Sequence, residues 1–140
     1  MFLLDINILL ALADPQHPHR SRALAFFPLA QAEGWATCPL TENGFLRILG
    51  HSNYPGGPGS PDLARPIIKS LCTAPGHQFW VDAISLCDSR AIPVLPPSKD
   101  LTDAYLLALA VYRKGRFATF DHRVKTAPVP GGTESYFLVP

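Results

Sequence analysis

MFLLDINILLALAD, running from Met1 to Asp14, decides how the rest of the chain is read. Its first four residues are an unbroken apolar run closed by Asp5, which suits a strand buried on both faces rather than a half-exposed edge. Ile6 to Ala13 is apolar again and stops at Asp14-Pro15, so a short helix follows the strand directly. A buried strand leading into a helix opens an α/β unit, and the alternation then repeats. His19 to Glu33 carries Ala23, Leu24, Phe27 and Ala30 at helical spacing and ends at Gly34. Trp35 to Pro39 reads as a second strand. Thr41 to Leu49 reads as a helix with Phe45, Leu46 and Leu49 on one face. His51 to Pro61 is a Gly/Pro-rich loop, Asp62 to Thr73 a further helix, and Phe79 to Val81 a third strand. Asp82 to Pro97 has no clear period. Leu101 to Tyr112 is apolar almost all round, so it is a helix covered on more than one side. Phe117 to Phe120 and Tyr136 to Val139 complete a set of strands alternating with helices. That order predicts a parallel sheet covered on both faces.

Composition sets the outer bounds. At 140 residues the expectation is one domain, residues 1–140, and 47% hydrophobic residues supply a real core. Twelve Lys and Arg against eleven Asp and Glu give a net charge of +1, which argues against a surface built wholly for electrostatic nucleic-acid binding. No apolar stretch is long enough for a transmembrane helix. The amino terminus lacks the basic region of a secretion signal and is interrupted by Asp5. Cys38, Cys72 and Cys87 are odd in number and far apart, so neither a disulfide framework nor a thiolate zinc site is expected, and a reducing cytoplasm is.

The chemistry lies in the acids. Asp5 closes the first strand, Glu42 stands in the first turn after the second, Asp103 in the first turn of the apolar helix, and Asp121 follows the fourth strand. In a parallel sheet the carboxyl ends of all strands share one edge, where ligands bind at the topological switch point. All four acids are therefore expected at that edge. Each also has an ordinary role open to it, because Asp caps helices and acids in a first turn complement the helix dipole. Four carboxylates in one place repel. At ~4 Å and an effective dielectric near 20 each pair costs roughly 4 kcal/mol, so the site must take protons or a cation. Oxygen donors without nearby His or Cys favour Mg²⁺ or Mn²⁺ over Zn²⁺, and such an ion suits phosphoryl chemistry.

Four blocks in order carry a family resemblance: Leu4-Asp5-Ile6-Asn7 with Leu9 to Leu12, Thr41-Glu42-Asn43, Leu101 to Ala110 around Asp103, and Ala118-Thr119-Phe120-Asp121. Phe79-Trp80 and Ile84-Ser85-Leu86 fit the middle section. The chain resembles the PIN-domain nucleases, and most closely the VapC-type ribonuclease toxins of toxin–antitoxin pairs. The resemblance implies a three-layer α/β/α sandwich with a four- to five-stranded parallel sheet and Mg²⁺- or Mn²⁺-dependent endoribonuclease activity. It puts Asp5, Glu42, Asp103 and Asp121 on the family's acidic positions, and Asn7 and Thr119 on polar positions that support the site. Asp5 and Asp103 are then the metal ligands, with Glu42 and Asp121 ligating directly or through water. Asp100 either assists or caps a helix, and Asp82 makes a structural hydrogen bond. The implied partners are an RNA substrate, a small antitoxin that blocks the acidic site, and a second copy of the chain. Such a homodimer would meet through the exposed sides of the helices after Asp5 and Glu42.

Arg113, Lys114, Arg116, Arg123 and Lys125 cluster near Asp121. Arg113 and Lys114 suit a helix end, whereas Arg123 and Lys125 follow the acidic edge and are candidates for phosphate contact. Tyr54 in the Gly/Pro loop offers a ring on which an RNA base could stack, or is simply part of a flexible loop. The five histidines show no metal-ligand spacing, and Gly56-Gly57-Pro58-Gly59 lacks the Lys-Ser/Thr of a P-loop. A phosphoryl-accepting receiver domain would need an acidic pair after the first strand and a central aspartate on the third, whereas Asp5 is followed by Asn7 and no acid ends Phe79-Trp80. A haloacid-dehalogenase-like phosphatase would need an acid where Asn7 stands. The remaining rival is a PIN-like scaffold that binds RNA or a partner without cutting, which gains little from a repulsive cluster of acids.

Overall fold

The computed structural model describes residues 1–140. Five short strands form one parallel sheet: β1 (Phe2–Leu4), β2 (Trp35–Thr37), β3 (His77–Phe79), β4 (Arg116–Thr119) and β5 (Tyr136–Leu138), in the order β3-β2-β1-β4-β5. Helices α1 (Ile6–Ala13), α2 (Arg20–Glu33), α3 (Pro39–Leu49) and α4 (Pro61–Leu71) form one layer. Helix α5 (Leu101–Tyr112) forms the other, with the four-residue α6 (Gly132–Ser135) beside it. This is the three-layer α/β/α sandwich expected. No helix is long and apolar enough to cross a membrane.

Alternation along the strands divides the interior in two. Phe2, Leu4, Trp35 and Ala118 face the core shared with Ile8, Leu9, Phe26, Phe45 and Ile68 of α1 to α4. Leu3, Ala36 and Phe117 face the second core against Leu106, Leu107, Leu109 and Ala110 of α5. A sheet covered on both faces has no polar side to show, which explains why Met1 to Leu4 reads as a continuous apolar run. It also explains the all-round apolarity of α5. Its residues Ala104 to Ala110 are all buried, between the sheet on one side and Ile92, Trp80 and Val129 on the others.

The boundaries differ from the sequence reading in two places that matter. The third strand is His77–Phe79, two residues earlier than Phe79 to Val81. Gly76 takes a positive φ of 80° where a Cβ would collide with the Gln31 carbonyl, so the chain turns tightly there and pairing starts at once. Its strand is short and exposed at the sheet edge, which weakens the apolar signal. Helix α3 begins at Pro39, because proline suits a first helical position. Thr41 lies inside the first turn, where its hydroxyl reaches back to accept the Cys38 N–H at 2.9 Å. Between Trp80 and Pro97 there is no helix or strand.

Candidate active site

From β1 the sheet continues through β2 and β3 on one side, and from β4 through β5 on the other. The chain thus leaves the two central strands in opposite directions, opening a crevice beyond their carboxyl ends. Asp5 is the first residue past β1, and Asp121 the second past β4. Helix α5 precedes β4 and returns antiparallel to it, which sets its first turn, with Asp103, over the same edge.

Asp5 does two jobs. Its Oδ1 accepts the Ile6 N–H at 2.7 Å and so caps α1, while Oδ2 accepts the Thr119 hydroxyl proton at 2.5 Å. The residue is 7% exposed. Burial pushes its carboxyl up to about 7, opposed by the Thr119 and Ile6 hydrogen bonds and reinforced by the charges of Asp103 and Asp121. Thr119 is fully buried, and its hydroxyl has every bond it can make. It donates to Asp5 and accepts from Asn7 Nδ2 at 3.1 Å and from the Asp121 N–H at 3.0 Å. Asn7 and Thr119 therefore tie the ends of β1 and β4 together.

Asp103 is half-buried, and burial, then Asp121, then Asp100 raise its carboxyl, against a lowering by Arg123. Asp121 is held below the usual carboxylate range by Arg123, whose Nε and terminal nitrogen reach its two oxygens at 3.0 and 3.1 Å. The Arg123 N–H adds a bond to Oδ1 at 2.8 Å, and the Tyr136 hydroxyl donates to the Asp121 carbonyl at 2.8 Å. Lys125 Nζ lies 3.2 Å from Asp100 Oδ2. That buried oxygen receives no properly directed hydrogen bond, so the contact is an ion pair of charge alone. Both basic residues expected near phosphates are thus engaged by carboxylates of the site.

Glu42 faces a different set of neighbours. Thr37 donates its hydroxyl proton to Glu42 Oε1 at 2.8 Å, and His77 Nε2 is 2.9 Å from the same hydroxyl. The charge of Glu42 acts on Cys72 and His77 on the β2–β3 side. The aspartates Asp5, Asp103 and Asp121 act on one another, with Asp100 behind Asp103. Asp82 is exposed past β3, where its charge adds to burial, the larger cause, in pushing the Tyr105 phenol up to about 12. It belongs with Tyr105 and Cys38, away from the aspartates.

Thr37 and His77 were not among the residues singled out in the sequence. Alternation from Trp35 gives Thr37 its face, but His77 becomes visible only when β3 starts at His77, directly after Gly76, rather than at Phe79. A cavity of about 700 Å³ lies on the outer side of α5 between Ile84, Tyr112 and Val129 and includes none of the four acids.

No three of the His, Cys, Asp and Glu side chains form a ready-made ion cage. What the edge does offer is oxygen donors with a deficit of positive charge. A buried carboxyl is raised by two like neighbours, and a buried Asp100 oxygen lacks a directed donor. Such a donor set fits a hard divalent cation.

No protein-family model matches the chain. It is 41% identical over 136 residues to ribonuclease VapC44 of Mycobacterium tuberculosis, an overlap of 96% of this chain and 95% of that one. It is 42% identical over 127 residues to ribonuclease VapC38 of the same organism, covering 90% and 89% of the two chains. With ribonuclease VapC39 the figures are 35% over 121 residues, and 85% and 87%. Similarity of this extent over nearly full length, on a parallel sheet with aspartates at its switch point, identifies the lineage: the chain belongs to the VapC-type PIN-domain ribonucleases.

Proposed function

We propose that this single-domain chain is a toxin endoribonuclease that hydrolyses RNA phosphodiester bonds at the carboxyl edge of its sheet. Asp5, Glu42, Asp103 and Asp121 are its catalytic carboxylates. The observation that carries this reading is Asp5, buried at the switch point with its carboxyl pushed up to about 7 among other acids. A carboxylate kept only to cap α1 gains nothing from two like charges beside it.

The resident cofactor in this reading is Mg²⁺ or Mn²⁺. Asp5 and Asp103 hold it, and Glu42 and Asp121 contribute directly or through water. When bound, the ion supplies Lewis-acid activation of water and neutralises charge on the phosphate. The chain's own residues do the positioning. Thr119 fixes the Asp5 carboxylate, and Asn7 fixes Thr119. Arg123 and Lys125, paired with Asp121 and Asp100 in the free protein, sit where an incoming phosphate would compete for them.

A cytoplasmic setting suits three free cysteines. The antitoxin of this reading covers the same acidic edge. A second copy belongs to the same reading; α1 and α3, the helices expected to meet it, leave no large apolar side chain exposed, whereas Leu24 and Leu29 on α2 and Leu63 on α4 are exposed.

The test is cutting of a mixed RNA panel in Mg²⁺, in Mn²⁺ and in EDTA, by wild type and by Asp103→Asn. Metal-dependent cutting that the variant loses is the expected result. RNA bound but never cut would favour the non-cutting scaffold instead.

A further inference from the structure

Glu42 is tied to two residues on neighbouring strands that the aspartate site does not use. Trp35 and Thr37 lie two apart in β2 and so share a face, and β3 pairs His77 opposite Trp35. His77 is therefore diagonal to Thr37 on the face covered by α3 and α4, and the two side chains meet there. Its ring packs on the Trp35 indole with centroids 4.6 Å apart, leaving Nε2 2.9 Å from Thr37 Oγ1. Thr37 is fully buried, and the same Oγ1 lies 2.8 Å from Glu42 Oε1.

Counting protons fixes the direction of both bonds. A carboxylate only accepts, so the one hydroxyl proton of Thr37 goes to Glu42. The bond to His77 then exists only if Nε2 carries a proton and donates it to Oγ1. The chain runs from His77 Nε2–H to Thr37 Oγ1–H to Glu42 Oε1. It has a counterpart across the crevice. Thr119 ends β4 as Thr37 ends β2, each is fully buried, and each gives its proton to one acid. Cys72, at the end of α4, closes the remaining side. Burial and the Glu42 charge push its thiol up, against a smaller lowering by the Thr37 hydroxyl, so it stays neutral and adds no competing anion.

We propose that His77 and Thr37 are positioning residues for Glu42, holding its carboxylate at the β2 side of the crevice so that its second oxygen is available to a cation. The inference rests on the reading of Glu42 as part of the ribonuclease site.

Paired variants test it. Thr37→Ser keeps the hydroxyl, and Thr37→Val removes it at similar volume. His77→Gln keeps a side-chain N–H, and His77→Phe keeps the ring on Trp35 without a donor. The readouts are Mn²⁺ affinity of the RNA-free protein by calorimetry, kcat and KM for RNA, and the ¹⁵N resonances of His77. Thr37→Val and His77→Phe are expected to weaken Mn²⁺ binding about tenfold and to lower kcat with KM little changed. Thr37→Ser and His77→Gln should stay near wild type. The Nε2–H resonance of His77 should be present, and should move in Glu42→Gln.

A His77 proton on Nδ1 instead, or Val and Phe variants that bind Mn²⁺ like their Ser and Gln partners, would overturn the proposal. If Thr37→Val does not fold, the His77 pair decides, since that ring is half-exposed. If wild type neither binds Mn²⁺ nor cuts RNA, the ribonuclease reading fails. The response of the His77 resonance to Glu42→Gln then shows by itself whether the chain of hydrogen bonds exists.

Discussion

Thr119 donates its hydroxyl proton to Asp5 across 2.5 Å, joining the carboxyl ends of two adjacent strands that lie 114 positions apart in the chain. Asp5 is also the cap of α1. The helix cap and the link to β4 are therefore one arrangement in which each carboxylate oxygen has its own task. The cap holds Oδ1 still, and Thr119 holds Oδ2.

That hydroxyl serves three partners, so removing it should be felt. Thr119→Val leaves Asn7 Nδ2 and the Asp121 N–H without their acceptor and Asp5 without a donor. An expected loss of about 1–3 kcal/mol follows from stranding buried polar groups. Urea unfolding measures it, and Thr119→Ser should recover most of it. A valine variant as stable as wild type would mean that water or rearrangement satisfies those groups.

The pH dependence of the metal-free protein follows from Asp5. Its folded carboxyl is raised from 3.8 to about 7, so between those values the native state holds a proton that the unfolded chain has released. Its contribution is complete below about pH 4 and is lost as pH rises through about 7. Asp103 is raised too and acts in the same direction. In EDTA the urea midpoint should be lower at pH 8 than at pH 5, by the equivalent of about 1–4 kcal/mol. Asp5→Asn should flatten that difference, and Mg²⁺ should reverse it. A midpoint that rises from pH 5 to pH 8 in EDTA would contradict the burial of an uncompensated acid.

How much could be read from the chain itself varied with the kind of signal. Strands β1 and β4 are buried on both faces, so their apolar runs are dense and legible, and the acids that follow them were located by adjacency alone. β3 is short, half-exposed and opened by Gly76, so its apolar content did not mark its start, and His77 went unseen with it. The partners of Arg123 and Lys125 were equally out of reach, because proximity to Asp121 in sequence does not say whether a guanidinium faces solvent or a carboxylate. The link from Thr37 to Glu42 needed the strand end and the helix start fixed to the residue.

Arg123 pairs with Asp121 at the surface, with its own side chain 80% exposed. Exposed pairs contribute little, so Arg123→Ala should leave the urea midpoint close to that of wild type. Its effect should appear in RNA binding. With cutting suppressed by EDTA, affinity should fall and the slope against log salt should shrink by about 0.7, the value for one phosphate contact on a single strand. The Asp121 carboxyl, released from Arg123, should drift back toward its ordinary range, which NMR titration reads. An unchanged salt slope would leave Arg123 as a partner of Asp121 and nothing more.

Asp103 separates a dipole charge from a site acid most sharply. As a first-turn acid of α5 it should stabilise the helix by about 0.3–1 kcal/mol, and its removal should cost that much. As one of several crowded carboxylates it is a liability in the metal-free protein, because burial, Asp121 and Asp100 all raise its carboxyl. The second effect should win at pH 8, where the neighbouring charges are present. Asp103→Asn in EDTA should then unfold at a temperature equal to or above that of wild type. Adding Mg²⁺ should raise the melting temperature of wild type, because a ligand held only by the folded state stabilises it, and should leave the variant where it was. A variant that melts lower in EDTA and gains as much from Mg²⁺ as wild type would make Asp103 a helix-dipole charge, and the ion would have to be held by the remaining acids.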